Sequence, residues 1–286
     1  MILTYGSVHE YMRAVGPETI TGIHRGENWD AGVSPQDACT RAIMGDPTIV
    51  SQFDATIASV TAGIETTQRP GYVVDWYGSR VDMGRYVAGL PNCMRRRARR
   101  ATDTRHVSVY VSLVCSEGIR ADMMLKRGSA ILGFLAVLQS QNIGVDLYLV
   151  ADMQGARARH TGREDQSGIT SDMVLDGDCT QVIRVESRPL DLSQTGFVIA
   201  HPAFTRHITY ALGMRYGFHG SWSATFDRSG GHSDPLAYSK AMAAKLGLTE
   251  TDVFIPPVHS NDQIVRDPQA WILARVTQCL GTRLVA

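Results

Sequence analysis

The chain has 286 residues, enough for one large α/β core or two modest ones. Its 28 basic and 28 acidic residues balance, so no net charge draws the whole chain to nucleic acid or to an anionic membrane. No apolar run approaches the roughly 20 residues of a membrane span, and the first residues lack the features of a signal peptide. Five scattered cysteines, never in CxxC spacing, favour buried free thiols in a reducing cytoplasm over a zinc site or disulfides.

The first hundred residues predict a helical layer. Residues 7–15 suggest a short helix, and Ser34 is typical of an N-cap because proline follows it at the first helical position. Apolar residues recur every three or four positions over 47–65, which indicates an amphipathic helix. One or two helical turns are expected over 82–88. We therefore expect residues 1–100 to form a helical extension that ends in a basic loop.

The basic loop is the strongest charge feature of the chain. Its arginines are Arg95, Arg96, Arg97, Arg99, Arg100 and Arg105, and His106 closes the run. These guanidinium groups are candidate nucleic-acid or phosphate contacts, although the run lacks the interleaved aromatic residues that mark single-strand binding. The alternative is a solvated loop that pairs with nearby acidic residues such as Asp103 and Glu117, or with another subunit.

A strand, a long helix and a second strand follow as the central unit. Residues 107–116 are β-branched and apolar, which is typical of a strand buried on both faces. Apolar residues at helical spacing over 116–142 predict a helix, and residues 144–153 form a second apolar run. A strand-helix-strand unit of this kind predicts two neighbouring parallel strands.

The sequence signals for the remaining strands and helices are weaker. We expect a third strand over 180–190, a helix capped by Asp191 and interrupted by Pro202, a fourth strand over 252–257, and a closing helix. Within the central helix, Gly128 is expected to allow close packing against the sheet.

Two polar loops contain candidate binding residues. The first follows Asp152 and contains Arg157, Arg159, His160 and Arg163. Ligands of open α/β sheets bind beyond the carboxyl ends of strands, so this loop could cover a phosphate or nucleic-acid site, or it could be a solvated loop.

The second loop, 217–233, contains Trp222 and Phe226, which we expect to contact a partner because aromatic residues often anchor interfaces. His219, Asp227 and His232 could hold a metal ion, but no regular element sets their spacing.

For the other chemically reactive residues, the sequence favours structural roles. His201 and His207 are six positions apart on one helix, so their rings diverge and packing is expected for both. Arginines next to Cys93 would lower the pKa of an exposed thiol, yet no histidine is placed by the sequence to act as its base. There is no GxSxG elbow, GxGxxG motif or GxxxxGK[ST] loop, so common hydrolase and nucleotide sites have no support.

Three segments carry a family resemblance: RVDMGRYVAGLPNCM, SEGIRADMMLKRGSAILGFLAVLQSQN and LDLSQTGFVIAHPAFTRHI. Together they resemble an uncharacterised family of tailed-bacteriophage proteins over roughly residues 30–215. The resemblance implies a phage-encoded protein, present in the cytoplasm of the infected host cell or in the virion. It implies no chemical mechanism.

The central region also resembles a von Willebrand factor A domain, whose first strand ends in Asp-x-Ser-x-Ser and holds a divalent cation. The matching positions here are Ser112, Val114 and Ser116. Since the carboxylate is missing and valine offers no oxygen, we expect no metal and no other cofactor.

These observations lead to one fold and three functional hypotheses. The fold is expected to be α/β, with a doubly wound, mostly parallel sheet of von Willebrand A or Rossmann-like type over 101–286. The leading function is non-enzymatic binding or scaffolding through protein–protein contacts, with a phage protein, a host protein or further copies of the chain. The alternatives are a nucleic-acid-binding accessory protein, and an enzyme at the sheet's carboxyl edge that uses Asp152, His160 and the loop 217–233.

Overall fold

The computed structural model defines the backbone of most of the predicted elements. It describes residues 2–16, 20, 27–51, 53, 72–77, 79–97, 106–115, 119–141, 143–153, 179–187, 191–215, 235–258 and 262–280.

Eight strands are present in the described residues. They are β1 (Ile2–Tyr5), β2 (Tyr72–Asp75), β3 (Arg80–Val81), β4 (Met94–Arg97), β5 (His106–Ser112), β6 (Gly144–Met153), β7 (Cys179–Val185) and β8 (Val253–Ile255).

The helices are α1 (Val8–Val15), α2 (Glu27–Asp30), α3 (Pro35–Met44), α4 (Met83–Val87), α5 (Ala121–Ser140), α6 (Leu192–Ala200), a π-helical turn (Phe204–Thr209), α7 (Tyr210–Arg215), α8 (Pro235–Leu246), α9 (Gln263–Arg266) and α10 (Pro268–Leu280). Residues 47–51 are also helical, while most of the predicted helix 47–65 lies outside the described residues. No helix in the described part of the chain is long and apolar enough to span a bilayer.

The central unit forms as predicted. Strands β5 and β6 are parallel neighbours, with Val109 opposite Leu147, and α5 connects them along the chain. Strand β8 pairs with the other edge of β5, also in parallel. The expectation of adjacent parallel strands joined by a helix is confirmed.

The complete sheet is mixed and has the order β1-β7-β6-β5-β8. Strand β7 runs antiparallel to β6, and β1 runs parallel to β7. The fold is therefore α/β with a mixed, mostly parallel sheet. Strand β1 was not expected, because the sequence predicted only helices near the N-terminus. The division into parts 1–100 and 101–286 remains a prediction.

The two faces of this sheet are covered differently. Val107, Val109 and Val111 point into the large core, which also contains apolar residues of α1, α3, α5, α6 and α10. The opposite face contributes Val150 to a smaller cluster with Tyr238 of α8. Alternating burial along β5 follows from the two-residue period of a strand.

Helix ends follow the predicted signals. The Ser34 and Asp191 side chains accept hydrogen bonds from the first turns of α3 and α6, so both N-caps are confirmed. The helix predicted from Asp191 ends at Ala200, and a π-helical turn begins after Pro202, which confirms the interruption.

Gly128 does allow close packing, but its neighbour is Ala200 of α6 rather than the sheet, which corrects the prediction.

A second, small sheet has the order β2-β4-β3 and is antiparallel. Its central strand contains Arg95, Arg96 and Arg97, which were expected in a loop. That part of the prediction is wrong, because this segment pairs with the strands on both of its sides. Helix α4, which confirms the predicted turns over 82–88, follows β3 directly and is capped by Asp82.

Candidate functional site

The predicted nucleic-acid-binding arginines are only partly described. Strand β4 includes the backbone of Arg96 and Arg97, and the side chain of Arg95 is exposed. The other predicted contacts lie outside the described residues: Arg99, Arg100, Arg105, Arg157, Arg159, Trp222 and Phe226.

Arg95 has a specific partner. Its Nη2 and Nε atoms lie 2.7 and 2.8 Å from Oδ2 of Asp82. The hydrogen bond from Arg95 holds the pKa of the Asp82 carboxyl below its usual value. Arg80 lies opposite Arg95 in the strand register, so two positive charges are neighbours there. Asp82 neutralises part of this charge. Arg95 therefore already has an ion-pair partner within the small sheet region.

Local polar contacts hold the rest of the small sheet region. Asp82 Oδ1 accepts from the backbone N–H of Arg85, and the Arg85 side chain donates to the backbone oxygen and the side-chain oxygen of Asn92. None of the side chains described between residues 74 and 95 is buried. These elements therefore form without an apolar core among those residues.

Large hydrophobic side chains are concentrated on this same region. Seven of the eleven that are strongly exposed in the described residues lie within 76–90. We name them the apolar surface: Trp76, Tyr77, Val81, Met83, Tyr86, Val87 and Leu90. The exposed fractions reach 71% for Trp76 and 80% for Val87. Single exposed apolar residues are ordinary, whereas large exposed apolar patches are typical of interaction sites.

The carboxyl end of β5 does not fit a divalent cation. Ser112 is fully buried, and its carbonyl oxygen accepts a hydrogen bond of 2.9 Å from Nη2 of Arg127. Its hydroxyl accepts from the backbone N–H of Val114 at 3.3 Å. A cation here would face a guanidinium, and Val114 supplies no side-chain oxygen. Ser116 lies outside the described residues.

Asp152, the acidic residue at the end of β6, is fully buried and already bonded. Its Oδ1 accepts from Thr180 Oγ1 at 2.6 Å and from Lys245 Nζ at 2.8 Å. Burial, together with the Asp152 charge, raises the pKa of Tyr238. The cluster ties α8 to β6 and β7, which is a structural role. His160 and the loop 217–233 lie outside the described residues, so the enzymatic hypothesis remains a prediction.

His201 and His207, the two histidines predicted to have packing roles, are both buried. Nδ1 of His201 accepts from the backbone N–H of Ala203 at 3.2 Å, and burial lowers the pKa of His201 to about 4. His207 Nε2 lies 3.1 Å from the carbonyl oxygen of Val33 and 3.6 Å from Oδ2 of Asp30. They contact different partners, in keeping with the packing roles predicted for them.

The described side chains include no candidate metal centre. No group of three or more His, Cys, Asp or Glu side chains comes together there as metal ligands would. Cys93 is half-buried, and the positions of His219, Asp227 and His232 are not described.

Sequence reasoning missed the apolar surface. The available signal was the density of tryptophan, tyrosine and methionine in a segment rich in glycine and arginine. That density alone does not show whether the side chains are covered.

Comparison with known proteins gives one match. The family model described as a domain of unknown function, DUF7192, matches residues 1–283. Neither the curated proteins nor the solved structures include a significant match to the chain.

Proposed function

The chain belongs to the DUF7192 family, and from its geometry we propose that it is a non-enzymatic binding protein whose contact site is the apolar surface. The observation that carries this proposal is the exposure of seven large hydrophobic side chains within residues 76–90. Burial of one such side chain contributes roughly 1.5–3 kcal/mol, so several together can hold a partner.

The partner is proposed to be a protein with an apolar patch and acidic side chains around it. Residues 72–97 contain five arginines and two aspartates, so the region has excess positive charge. An acidic partner complements this charge and would be steered toward it. A second copy that docked the same face against itself would bring like charges together, which disfavours a symmetric dimer through this surface.

A protein explains the surface better than nucleic acid does. Val81, Met83, Val87 and Leu90 are aliphatic and offer nothing that a phosphate or a base edge would bind. Trp76, Tyr77 and Tyr86 could stack on bases, and Arg95 could contact a phosphate, so nucleic-acid binding remains the second candidate. Yet Arg95 pairs with Asp82, whereas the aliphatic side chains gain only by being covered.

Site-specific photo-crosslinking tests the proposal. A p-benzoylphenylalanine in place of Val87 is expected to form one protein adduct in cells that naturally make the chain. The same residue in place of Leu273, which is 55% exposed on α10, is the matched control and should form no such adduct. The purified partner is then titrated with wild type and with Met83→Ser and Tyr86→Ser, which should each weaken binding about tenfold or more. Leu273→Ser should bind like wild type.

The other outcomes separate the alternatives. An adduct that nuclease destroys, together with weaker binding by an Arg95→Ala, Arg96→Ala, Arg97→Ala variant, would establish nucleic acid as the ligand instead. An adduct between two copies of the chain would contradict the acidic partner. Equal labelling at both positions, or no adduct at Val87, would contradict the proposal itself.

We also propose that the sheet is a von Willebrand A or Rossmann-like sheet that has lost its cation site, in a tailed-phage protein. The parallel strands β5, β6 and β8 support this fold type, and the buried, Arg127-bonded Ser112 supports the loss of the cation. The chain would act in the cytoplasm of the infected cell or in the virion. Mass spectrometry of purified phage particles distinguishes these two locations.

A further inference from the structure

Two arginines are buried inside the large sheet's helical layer. Arg127 lies on α5 and Arg206 lies in the π-helical turn, and each is only 5% exposed. Burying a guanidinium charge is costly unless an opposite charge or a full set of hydrogen bonds offsets the cost. Burial lowers the pKa of Arg127 to about 10, which still leaves it charged at neutral pH.

Main-chain carbonyl oxygens are the hydrogen-bond acceptors for both groups. Arg127 donates from Nη2 to Ser112 at 2.9 Å and to Pro256 at 2.8 Å. Arg206 donates to the carbonyl oxygens of Trp29 and Ile119, and its guanidinium lies 5.0 Å from the centre of the Trp29 ring.

Among the described residues, neither guanidinium has a close carboxylate partner. Within the described ranges, no carboxylate oxygen lies within 4.0 Å of the Arg127 or the Arg206 guanidinium. Asp262 acts on Arg127 from beyond that distance, and the buried Asp30 lies 3.6 Å from His207. Carbonyl dipoles orient the two groups but do not neutralise them.

The two charges converge on one place. Ser112, bonded by Arg127, ends β5, and Ile119, bonded by Arg206, comes just before α5. Between them in the chain lies Cys115, which packs with Ile119 in one buried cluster, and the charges of both Arg206 and Arg127 act on its thiol. Both guanidinium groups therefore act at the carboxyl end of a central parallel strand, where ligands of α/β sheets bind.

We propose that Arg127 and Arg206 form a binding site for a phosphate-sized oxyanion beside Cys115. Such an anion supplies the full negative charge that the carbonyl oxygens lack. A guanidinium has five N–H donors, and both hydrogen bonds of Arg127 to described residues use Nη2, so Nη1 and Nε can face the anion. The ligand is inorganic phosphate or the phosphate group of a nucleotide.

Cysteine protection tests the site in the wild-type protein. Inorganic phosphate is added at constant ionic strength with chloride as the reference, and the alkylation rates of the buried Cys115 and Cys39 are compared by mass spectrometry. At ten times its dissociation constant, phosphate is expected to slow alkylation of Cys115 about tenfold relative to Cys39 and to raise Tm. AMP as a second probe separates the sources: tighter binding of AMP assigns the site to a nucleotide phosphate, and equal or weaker binding assigns it to the free ion.

Two variants complete the experiment. Arg127→Met should remove the phosphate effect on Tm, whereas Arg95→Ala, in the small sheet, should keep it. If Arg127→Met fails to fold, the wild-type Cys115 measurement still decides. The proposal is overturned if phosphate and chloride give equal Tm and equal Cys115 rates. A rise in Tm without selective Cys115 protection would also overturn it, because the anion would then bind elsewhere. The photo-crosslinking result does not affect this test.

Discussion

Helices α5 and α4 differ in what they bury. Thirteen of the 20 residues of α5 are buried, whereas none of the five residues of α4 is. Helix α5 packs among the sheet, α6 and α10, and Phe134 at its centre is fully buried and lies edge-on to Trp271. Helix α4 lies between β3 and β4 of the small sheet, where the described side chains between residues 74 and 95 are all at least partly exposed.

The difference separates the region that stabilises the fold from the region proposed to bind a partner. The large sheet gains its stability from apolar burial, so its side chains are constrained by their neighbours. The small sheet relies on local polar contacts such as the Arg95–Asp82 pair, and the large hydrophobic side chains within residues 76–90 stay exposed. Substitutions should therefore affect folding in the first region and, under the proposed function, binding in the second.

The largest contrast is expected for two aromatic truncations. Phe134→Ala removes a fully buried ring and should lower the free energy of unfolding by about 3–5 kcal/mol. Tyr86→Ala removes a ring that is 62% exposed and should change it by less than about 0.5 kcal/mol. Urea unfolding followed by circular dichroism measures both. Similar losses for the two variants would show that Tyr86 is covered within the folded chain.

Acid should destabilise the large sheet region through His201. The unfolded histidine takes up a proton near pH 6.5, but the buried one only near pH 4, so between these values the unfolded state binds more protons. The free energy of unfolding should fall as the pH drops through this window, by on the order of 3 kcal/mol for this residue. His201→Gln should flatten the profile between pH 6.5 and 4, while His9→Gln, at an exposed position, should not. Parallel profiles for wild type and His201→Gln would refute the assignment.

Two glycines offer a matched pair. In Gly128→Ala the new methyl group would overlap with Ala200 of α6, so we expect a loss of about 1–3 kcal/mol from the forced displacement of the helices. In Gly84→Ala the nearest atom is Asp82 Oδ1 at 3.5 Å, an ordinary contact, and the better helix propensity of alanine makes the change neutral or favourable. Thermal and urea unfolding of both variants check this. An unaffected Gly128→Ala would mean that α5 and α6 are farther apart than described.

The smallest contrast concerns two helix caps. Asp191→Ala removes the acceptor for the first turn of the buried helix α6 and should cost about 1 kcal/mol in urea unfolding. Asp82→Ala removes the equivalent cap of α4 and the partner of Arg95, yet it should leave the main unfolding transition unchanged. A shift of that transition by Asp82→Ala would show that the two sheets unfold as one unit.

The local parts of the fold were predictable. The β-branched run that became β5, the apolar periodicity of α5 and the second apolar run that became β6 each encode their own geometry. The caps at Ser34 and Asp191 and the interruption at Pro202 were also visible, because a cap or a break depends on a few neighbouring residues.

The candidate site was predictable only in part. The arginines stood out as a group, but the pairing of Arg95 with Asp82 depends on strand β4 lying beside β3. The side chains of the apolar surface are exposed because no other described part of the chain packs over them. A local sequence pattern does not show this. Arg127 and Arg206 are polar residues within apolar helical patterns, and nothing in the sequence shows that their charges meet near Cys115.

Local sequence patterns were enough to locate β5, α5, β6 and α6 and some of their ends, since hydrophobic period and capping act over a few residues. The packed fold was needed to show that β7 runs antiparallel to β6, that β1 joins the sheet beside β7, and which charges and apolar side chains have neighbours. Strand pairing and burial join residues far apart in the chain, and their free energy depends on the packed whole rather than on any one segment.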